Sequence, residues 1–277
     1  MTDGTDSSDH WPRHAHRWAL VGPPLRPCPA DVAHVERAVA GWAAAAGRGP
    51  RALLLGVTPE LATMRWPAGT ELRAVDRSAA MIAEVFPATG TPPGATAVQG
   101  EWCALPCADA AFDVAVGDGA PANLSFPADY ARFAGELARV LAPGGQLVLR
   151  LFATQELRET LDDVARELRA GRIGSFHALK WRIAMALYPD ERDVPVVEIA
   201  AAFDAMAPDR AWLSRLTAWT PATIATIDNY RGSALAYSFP KLASVEDAFA
   251  AHFAIARVLA ADYELGERCP TVVWTRR

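Results

Sequence analysis

With 277 residues, 51% of them hydrophobic, the chain can bury the core of one large domain or of one domain carrying an insertion. A net charge of −5 argues against a protein that coats nucleic acid, because neutralising phosphates needs a basic face. No apolar run is long enough to span a bilayer and no basic-then-apolar leader opens the chain, so the expected protein is cytoplasmic, with no membrane and no nucleic-acid partner.

Residues 1–16 are polar and rich in Asp, Ser and His, and read as a flexible tail. His10, His14 and His16 could hold a metal there, but a solvated tail is the expected state and no metal is assigned. Prolines between Trp18 and Pro29 forbid a regular helix or central strand. Asp31 then reads as the N-cap of a helix over 31–46, with Val32, Val35, Ala38, Val39 and Trp42 at helical spacing. Cys28, Cys103, Cys107 and Cys269 contain no C-x-x-C pair and read as reduced structural thiols.

A β/α alternation follows. Short apolar strands are predicted at 51–55 (RALLL), 71–75 (ELRAV), 96–99, 112–117 (FDVAVG) and 146–151 (QLVLRL). Helices over 78–85 and 129–141 lie between them, and Pro143-Gly144-Gly145 breaks the chain before the fifth strand. This alternation predicts a parallel sheet covered on both faces. From 154 to about 250 the pattern is helical, at 154–170, 176–187, 196–207, 209–217, 221–228 and from Ser244 to His252. Segments 255–260 and 271–275 (TVVWT) read as an antiparallel hairpin. The division that results is a flexible tail (1–16), a core (17–152), a helical insertion (153–252) and a terminal strand pair (253–277) that completes the core sheet.

In an open parallel sheet a ligand binds beyond the carboxyl ends of the strands, where the strand order reverses. The loop after the first strand is Gly56-Val57-Thr58-Pro59-Glu60. Gly56 allows a tight turn, Thr58 suits a cap, Pro59 the first helical position and Glu60 its positive end. An acid at that helix start disfavours phosphate. Asp76, twenty residues after Gly56, ends the second strand, where a carboxylate can accept hydrogen bonds from vicinal ribose hydroxyls. No G-x-G-x-x-G follows the first strand, which disfavours a nicotinamide oxidoreductase.

Together these segments resemble the class I methyltransferases dependent on S-adenosylmethionine (SAM). LLLGVTPELA stands where that family has its glycine-rich first motif, and AVDRSAAMI resembles its second. GEWCALPCADAAFDVAVGDG resembles its adenine-contacting stretch and fourth strand, and LARVLAPGGQLVLRLF its helix, Pro-Gly-Gly turn and fifth strand. The resemblance implies an α/β fold: a seven-stranded, mostly parallel Rossmann-like sheet with helices on both faces and a helical insertion as cap. It implies that Gly56, with Thr58 and Glu60, meets the methionine part of SAM. Asp76 would hold the ribose with Arg77 beside it, Met81 would pack on the adenine, and Glu101 and the Trp102 backbone N–H would meet the adenine edge. Gly117 and Asp118 would lie near the transferring methyl. The first loop departs from the family in keeping one glycine. The function implied is methyl transfer to an oxygen or nitrogen of a small molecule by a monomer or homodimer; the alternative is a catalytically silent SAM-fold binding or partner protein.

The acceptor site is expected in the helical insertion and the N-terminal arm. Its candidates are Trp18, Arg26, Trp181, Arg182, Tyr230, Arg231 and Tyr237, with His177 or Asp118 as catalytic groups. Arg182 or Arg231 facing the methyl would favour an anionic acceptor. The turn Asp118-Gly119-Ala120-Pro121 lacks the Pro-Pro-aromatic pattern of nucleic-acid amino methyltransferases, which disfavours base methylation.

Overall fold

The computed structural model describes residues 10–188 and 192–277. The chain opens on helix α1 (His10–His16), so the expectation of a flexible tail is corrected from residue 10 onward. Apolar burial decides the difference. Ala15 is buried, Trp11 packs against the core, and His16 Nδ1 lies 2.7 Å from Glu84 Oε2. The side chains of His10 and His14 lie outside what is described. The proline-rich arm after α1 holds one short 3-10 turn, Trp18–Leu20.

Helix α2 (Pro29–Ala46) starts before Asp31. Asp31 is its third residue, not its cap, and accepts the Cys28 N–H at 2.9 Å in a capping box. Strand β1 (Arg51–Leu55), helix α3 (Pro59–Ala62), strand β2 (Glu71–Asp76), helix α4 (Ala79–Val85), strand β3 (Thr96–Gln99), strand β4 (Phe112–Asp118) and helix α5 (Ala128–Val140) follow as their patterns predict, within a residue or two. Ser78 caps α4 by accepting the Met81 N–H. Strand β5 (Leu141–Arg150) begins earlier than expected: Leu141 already pairs with Phe112, and the Pro-Gly-Gly segment sits inside the strand at a shift in register.

The helical segment comprises α6 (Leu161–Arg169), α7 (Phe176–Ala186), a two-residue strand β6 (Val194–Pro195), α8 (Val196–Met206), α9 (Arg210–Thr217) and α10 (Pro221–Ile224). A 3-10 stretch Ala225–Tyr230 and strand β7 (Ala236–Tyr237), paired with β6, complete it. The helix expected from 154 starts seven residues later. The N–H groups of Leu151, Ala153 and Thr154 donate to the carbonyls of Pro270, Arg268 and Phe239, which holds the chain extended. Thr160 and Asp163 then form the capping box that starts α6. Leu157, expected on the buried stripe, is accordingly 91% exposed. Helix α11 (Leu242–Phe249) has Lys241 at its N-cap position, so Ser244 lies within it and does not cap it. Strands β8 (Phe253–Leu259) and β9 (Thr271–Arg276) form the terminal antiparallel pair.

One seven-stranded sheet runs in the order β3-β2-β1-β4-β5-β9-β8. It is parallel except where β9 joins β5 and β8 joins β9. The order reverses between β1 and β4, which sets the ligand crevice at their carboxyl ends. Ala52 to Leu55 are at most 1% exposed, as strands covered on both faces must be. Separate apolar clusters lie on the two faces of the sheet, and a third, around Phe176, Trp181 and Phe203, fills the helical segment.

Candidate functional site

At the tip of β1 the backbone turns at Gly56 with φ +88°, a conformation that glycine adopts without steric cost. Its N–H donates to Val75 O at 2.8 Å, which ties the tips of β1 and β2 together. A side chain here would enter the crevice: a Cβ built on Gly56 would stand 3.6 Å from Asp76 Oδ2 and 3.7 Å from Trp102 Cζ2. Val57 and Thr58 continue the wall. Glu60 does not. Its Oε1 accepts from Arg26 Nε at 2.7 Å, and the Arg26 guanidinium also donates to Trp18 O and covers the Trp18 ring at 4.9 Å. Glu60 and Arg26, expected at the cofactor and the acceptor, instead pin the N-terminal arm to the first loop.

At the tip of β2, Asp76 is 9% exposed, and its Oδ1 accepts the Ser78 N–H at 2.8 Å. Burial, reinforced by the charge of Glu101, raises its pKa despite that bond and the nearby Arg77. Met81 is buried and lines the crevice. Arg77 lies over the Trp11 ring at 5.6 Å, outside the lining. After β3, Glu101 is exposed in a small bridge with Ala104 and does not reach the crevice. Trp102 does, and it does so with its ring: the indole N–H donates to Val75 O at 2.8 Å, alongside that of Gly56.

At the tip of β4, Gly117 serves packing and not the crevice, because a Cβ there would lie 2.9 Å from Leu149 Cδ2. Asp118 lines the crevice. Its Oδ1 accepts from Arg150 Nε at 2.5 Å. The Arg150 guanidinium, 1% exposed, also donates to Tyr263 Oη at 3.0 Å and Pro24 O at 2.9 Å, with Asp31 at 3.8 Å. Burial raises the pKa of Asp118 against the opposing charge of Arg150. Next comes Gly119 at φ +61°, where a Cβ would sit 2.3 Å from Phe152 Cε2, so any other residue would displace that ring. Asn123 closes this side.

The opposite wall comes from the helical segment and the arm. Trp18, Trp181, Tyr230 and Tyr237 line it, and so does Trp11, which the assignment of residues 1–16 to a tail had hidden. Phe152 and Trp181 meet edge to face at 5.0 Å, and Trp181 and Tyr237 at 5.2 Å. Three polar candidates are turned elsewhere. Arg182 pairs with Glu159, and Arg231 with Asp204 and Asp228 on the surface. His177 is buried behind the wall with Nε2 2.8 Å from Leu20 O, and burial, aided by the charge of Lys180, pushes its pKa down to about 3. Lys180 is also outside the lining, its Nζ donating to Thr226 Oγ1 at 3.2 Å between the rings of Phe176 and Tyr230. The crevice spans about 740 Å³ of space, part of it open to solvent.

Sequence reasoning passed over Trp11, Gly119, Asn123 and Phe152. The signal that could have found Gly119 was its place directly after the acid that ends β4.

No group of three His, Cys, Asp or Glu side chains among the described residues stands close enough to hold a metal ion. No helix among them is long and apolar enough to cross a membrane.

A family model described as a methyltransferase domain matches residues 54–149, which span β1 to β5 and every strand tip described above. No curated protein matches the chain. Among solved structures, a Rhodobacter sphaeroides protein provisionally named as a zinc-dependent alcohol dehydrogenase aligns over 99% of each chain, at 14% identity and a TM-score of 0.59. The magnesium protoporphyrin IX methyltransferase of Synechocystis, with bound S-adenosylhomocysteine, aligns over 99% of this chain and 100% of its own, at 15% identity and a TM-score of 0.52. A SAM-dependent methyltransferase from Methanosarcina mazei aligns over 91% and 98%, at 16% identity and a TM-score of 0.50. At such identities the likeness concerns the fold, and none of these names transfers an activity. Residues 54–149 thus carry a methyltransferase domain, whose strands lie in a sheet of order β3-β2-β1-β4-β5-β9-β8.

Proposed function

We propose that the crevice binds SAM along the tips of β1, β2 and β4 and directs its methyl to an oxygen or nitrogen of a small molecule held under the helical segment. The observation that carries this is the convergence of Gly56, Asp76 and Asp118, one from each central strand tip, on a single cavity with an aromatic opposite wall. The residues fit the group. The absent side chain at Gly56 leaves a cradle beside the Asp76 carboxylate, an acceptor suited to the hydroxyls of a ribose diol. Met81 and the Trp102 ring offer apolar faces to an adenine. Asp118, beside Gly119, offers a negative charge to the ammonium end. Glu101, Glu60 and Gly117 have no part in this arrangement.

Bound SAM supplies the hard chemistry, a methyl on a sulfonium with a good leaving group. The protein's own share is alignment and exclusion of water. Phe152, Trp181, Tyr230 and Tyr237 form one continuous aromatic wall, and the arm carrying Trp11 and Trp18 closes over it. Holding two reactants in line can contribute roughly 7–11 kcal/mol in well-oriented systems. The residues of 153–252 act as the substrate cap, with β8 and β9 returning the chain to the core sheet.

Calorimetry with SAM, S-adenosylhomocysteine and NAD tests this reading. Heat with the two adenosyl compounds and none with NAD is expected. Heat with NAD alone would refute it.

A further inference from the structure

We propose that the methyl acceptor is an amine on an apolar body, seated against Phe152, Trp181 and Tyr237 with an N–H donated to Asn123 Oδ1. This rests on the methyl-transfer reading above and adds the acceptor's chemical class. Four observations carry it.

The charged side chains lining the crevice among the described residues are Asp76 and Asp118; no Lys, Arg or His lines it. The arginines that would receive an anionic acceptor are committed to carboxylates: Arg26 to Glu60, Arg182 to Glu159, Arg231 to Asp204 and Asp228. A carboxylate acceptor would thus meet like charge and no cationic side chain among the described lining residues.

A hydroxyl acceptor needs a base within reach. His177 and Lys180 lie behind the wall. Tyr230 and Tyr237 are phenols that burial keeps protonated, Tyr237 with its pKa pushed up to about 12. Asp118 Oδ1 already accepts from the Arg150 guanidinium at 2.5 Å, and on the reading above this carboxylate faces the ammonium end of SAM and not the acceptor. An amine that has first lost its ammonium proton to water needs no base in the protein, since its own lone pair is then the nucleophile.

The aromatic wall suits the charge that an amine acquires. The nitrogen lone pair forms the new bond to the methyl carbon, the carbon–sulfur bond breaks, and its electron pair stays on the departing thioether. Positive charge therefore moves from sulfur to nitrogen, and where the amine still carries hydrogen a proton then leaves to water. Ring faces attract a cation within about 6 Å, so the wall favours the charged product side of the step.

Asn123 supplies the orientation. It lines the crevice, and its Nδ2 donates to Ala120 O at 3.4 Å, which assigns Oδ1 as the remaining acceptor atom. That Oδ1 is buried without a hydrogen-bond partner among the described residues. A buried carbonyl in this state is stabilised by a ligand N–H and gains nothing from a ligand carboxylate.

The test uses the full chain saturated with S-adenosylhomocysteine and titrated calorimetrically with phenethylamine, 2-phenylethanol and phenylacetate, which share one skeleton. Phenethylamine is expected to bind at least tenfold more tightly than either of the others. In Asn123→Leu this preference over the alcohol should fall severalfold. Equal or tighter binding of the alcohol or the carboxylate would overturn the proposal, as would no binding of any of the three to the saturated protein. Failure of S-adenosylhomocysteine itself to bind is a different result: it removes the methyl-transfer reading, and the amine assignment falls with it.

Discussion

Replacing Asp76 by Asn separates ligand binding from stability, because the structure gives the two carboxylate oxygens different work. Oδ1 accepts the Ser78 N–H at 2.8 Å and helps set the start of α4, a bond that the Asn carbonyl keeps. Oδ2 stands beside Gly56 over the crevice and becomes an amide that can no longer accept. A ribose hydroxyl then loses one charge-assisted hydrogen bond, about 1.5–3 kcal/mol. At about 1.4 kcal/mol per factor of ten, affinity for S-adenosylhomocysteine should fall about 10- to 140-fold. Stability should move the other way. Burial holds the Asp76 pKa above its ordinary value, so between the unfolded and folded pKa the native state binds more protons than the unfolded chain. Stability falls as pH rises through that window and stays reduced above it. Asn carries no titrating proton, so at pH 7 the variant should melt at or above the temperature of the parent. Calorimetry and thermal melts of the ligand-free proteins read both effects. In the parent, affinity should also begin to fall at a pH above the ordinary carboxylate range. A folded Asp76→Asn that binds S-adenosylhomocysteine within twofold of the parent would refute the assignment. A fall in melting temperature matching the fall in affinity would show a structural residue instead.

Arg150→Met should destabilise the protein by about 3–5 kcal/mol in urea unfolding, because Asp118 and Asp31 would remain buried with no compensating charge. Adding Asp118→Asn should restore part of that loss, and strict additivity of the two changes would argue against the pairing. Gly119→Ala combines φ +61° with a Cβ driven into Phe152. It should cost about 1–3 kcal/mol and displace Phe152, which a loss of phenethylamine binding together with a lowered melting temperature would register. At the opposite end of the sheet, burial raises the Asp113 pKa, but hydrogen bonds from Arg51 and Arg48 outweigh it and hold that carboxyl well below its ordinary value. Its stabilisation is present above the unfolded pKa and is lost as pH falls toward the folded one. Asp113→Asn should therefore lower stability at pH 7 and flatten the acid limb of the stability curve measured by urea titration.

The strands of the core were legible because each is a short apolar run closed by a turn residue, and both signals are local. Gly56 and Asp76 could be placed at strand tips for the same reason, and the open parallel sheet then brings strand tips together whatever the side chains between them. The ends of α6 and β5 were misjudged where distant partners intervene. Leu151 and Thr154 stay extended because Pro270 and Phe239 supply carbonyls, and Leu141 joins the sheet because Phe112 lies beside it.

The cap was less legible still. Trp181, Tyr230 and Tyr237 are large and apolar, so they turn inward wherever the helices leave space, and their presence at the crevice could be anticipated from residue type. Arg26, Arg182, Arg231 and His177 could not be judged in this way, since a charged or polar side chain faces whichever partner the completed fold brings near. The clearest case is Arg150, whose guanidinium meets a Pro24 carbonyl 126 residues away. Periodicity and turn chemistry specified the sheet and its ligand edge. Which polar groups reach the crevice, and which are neutralised outside it, was decided only when burial made each charge find a counterpart from a remote part of the chain.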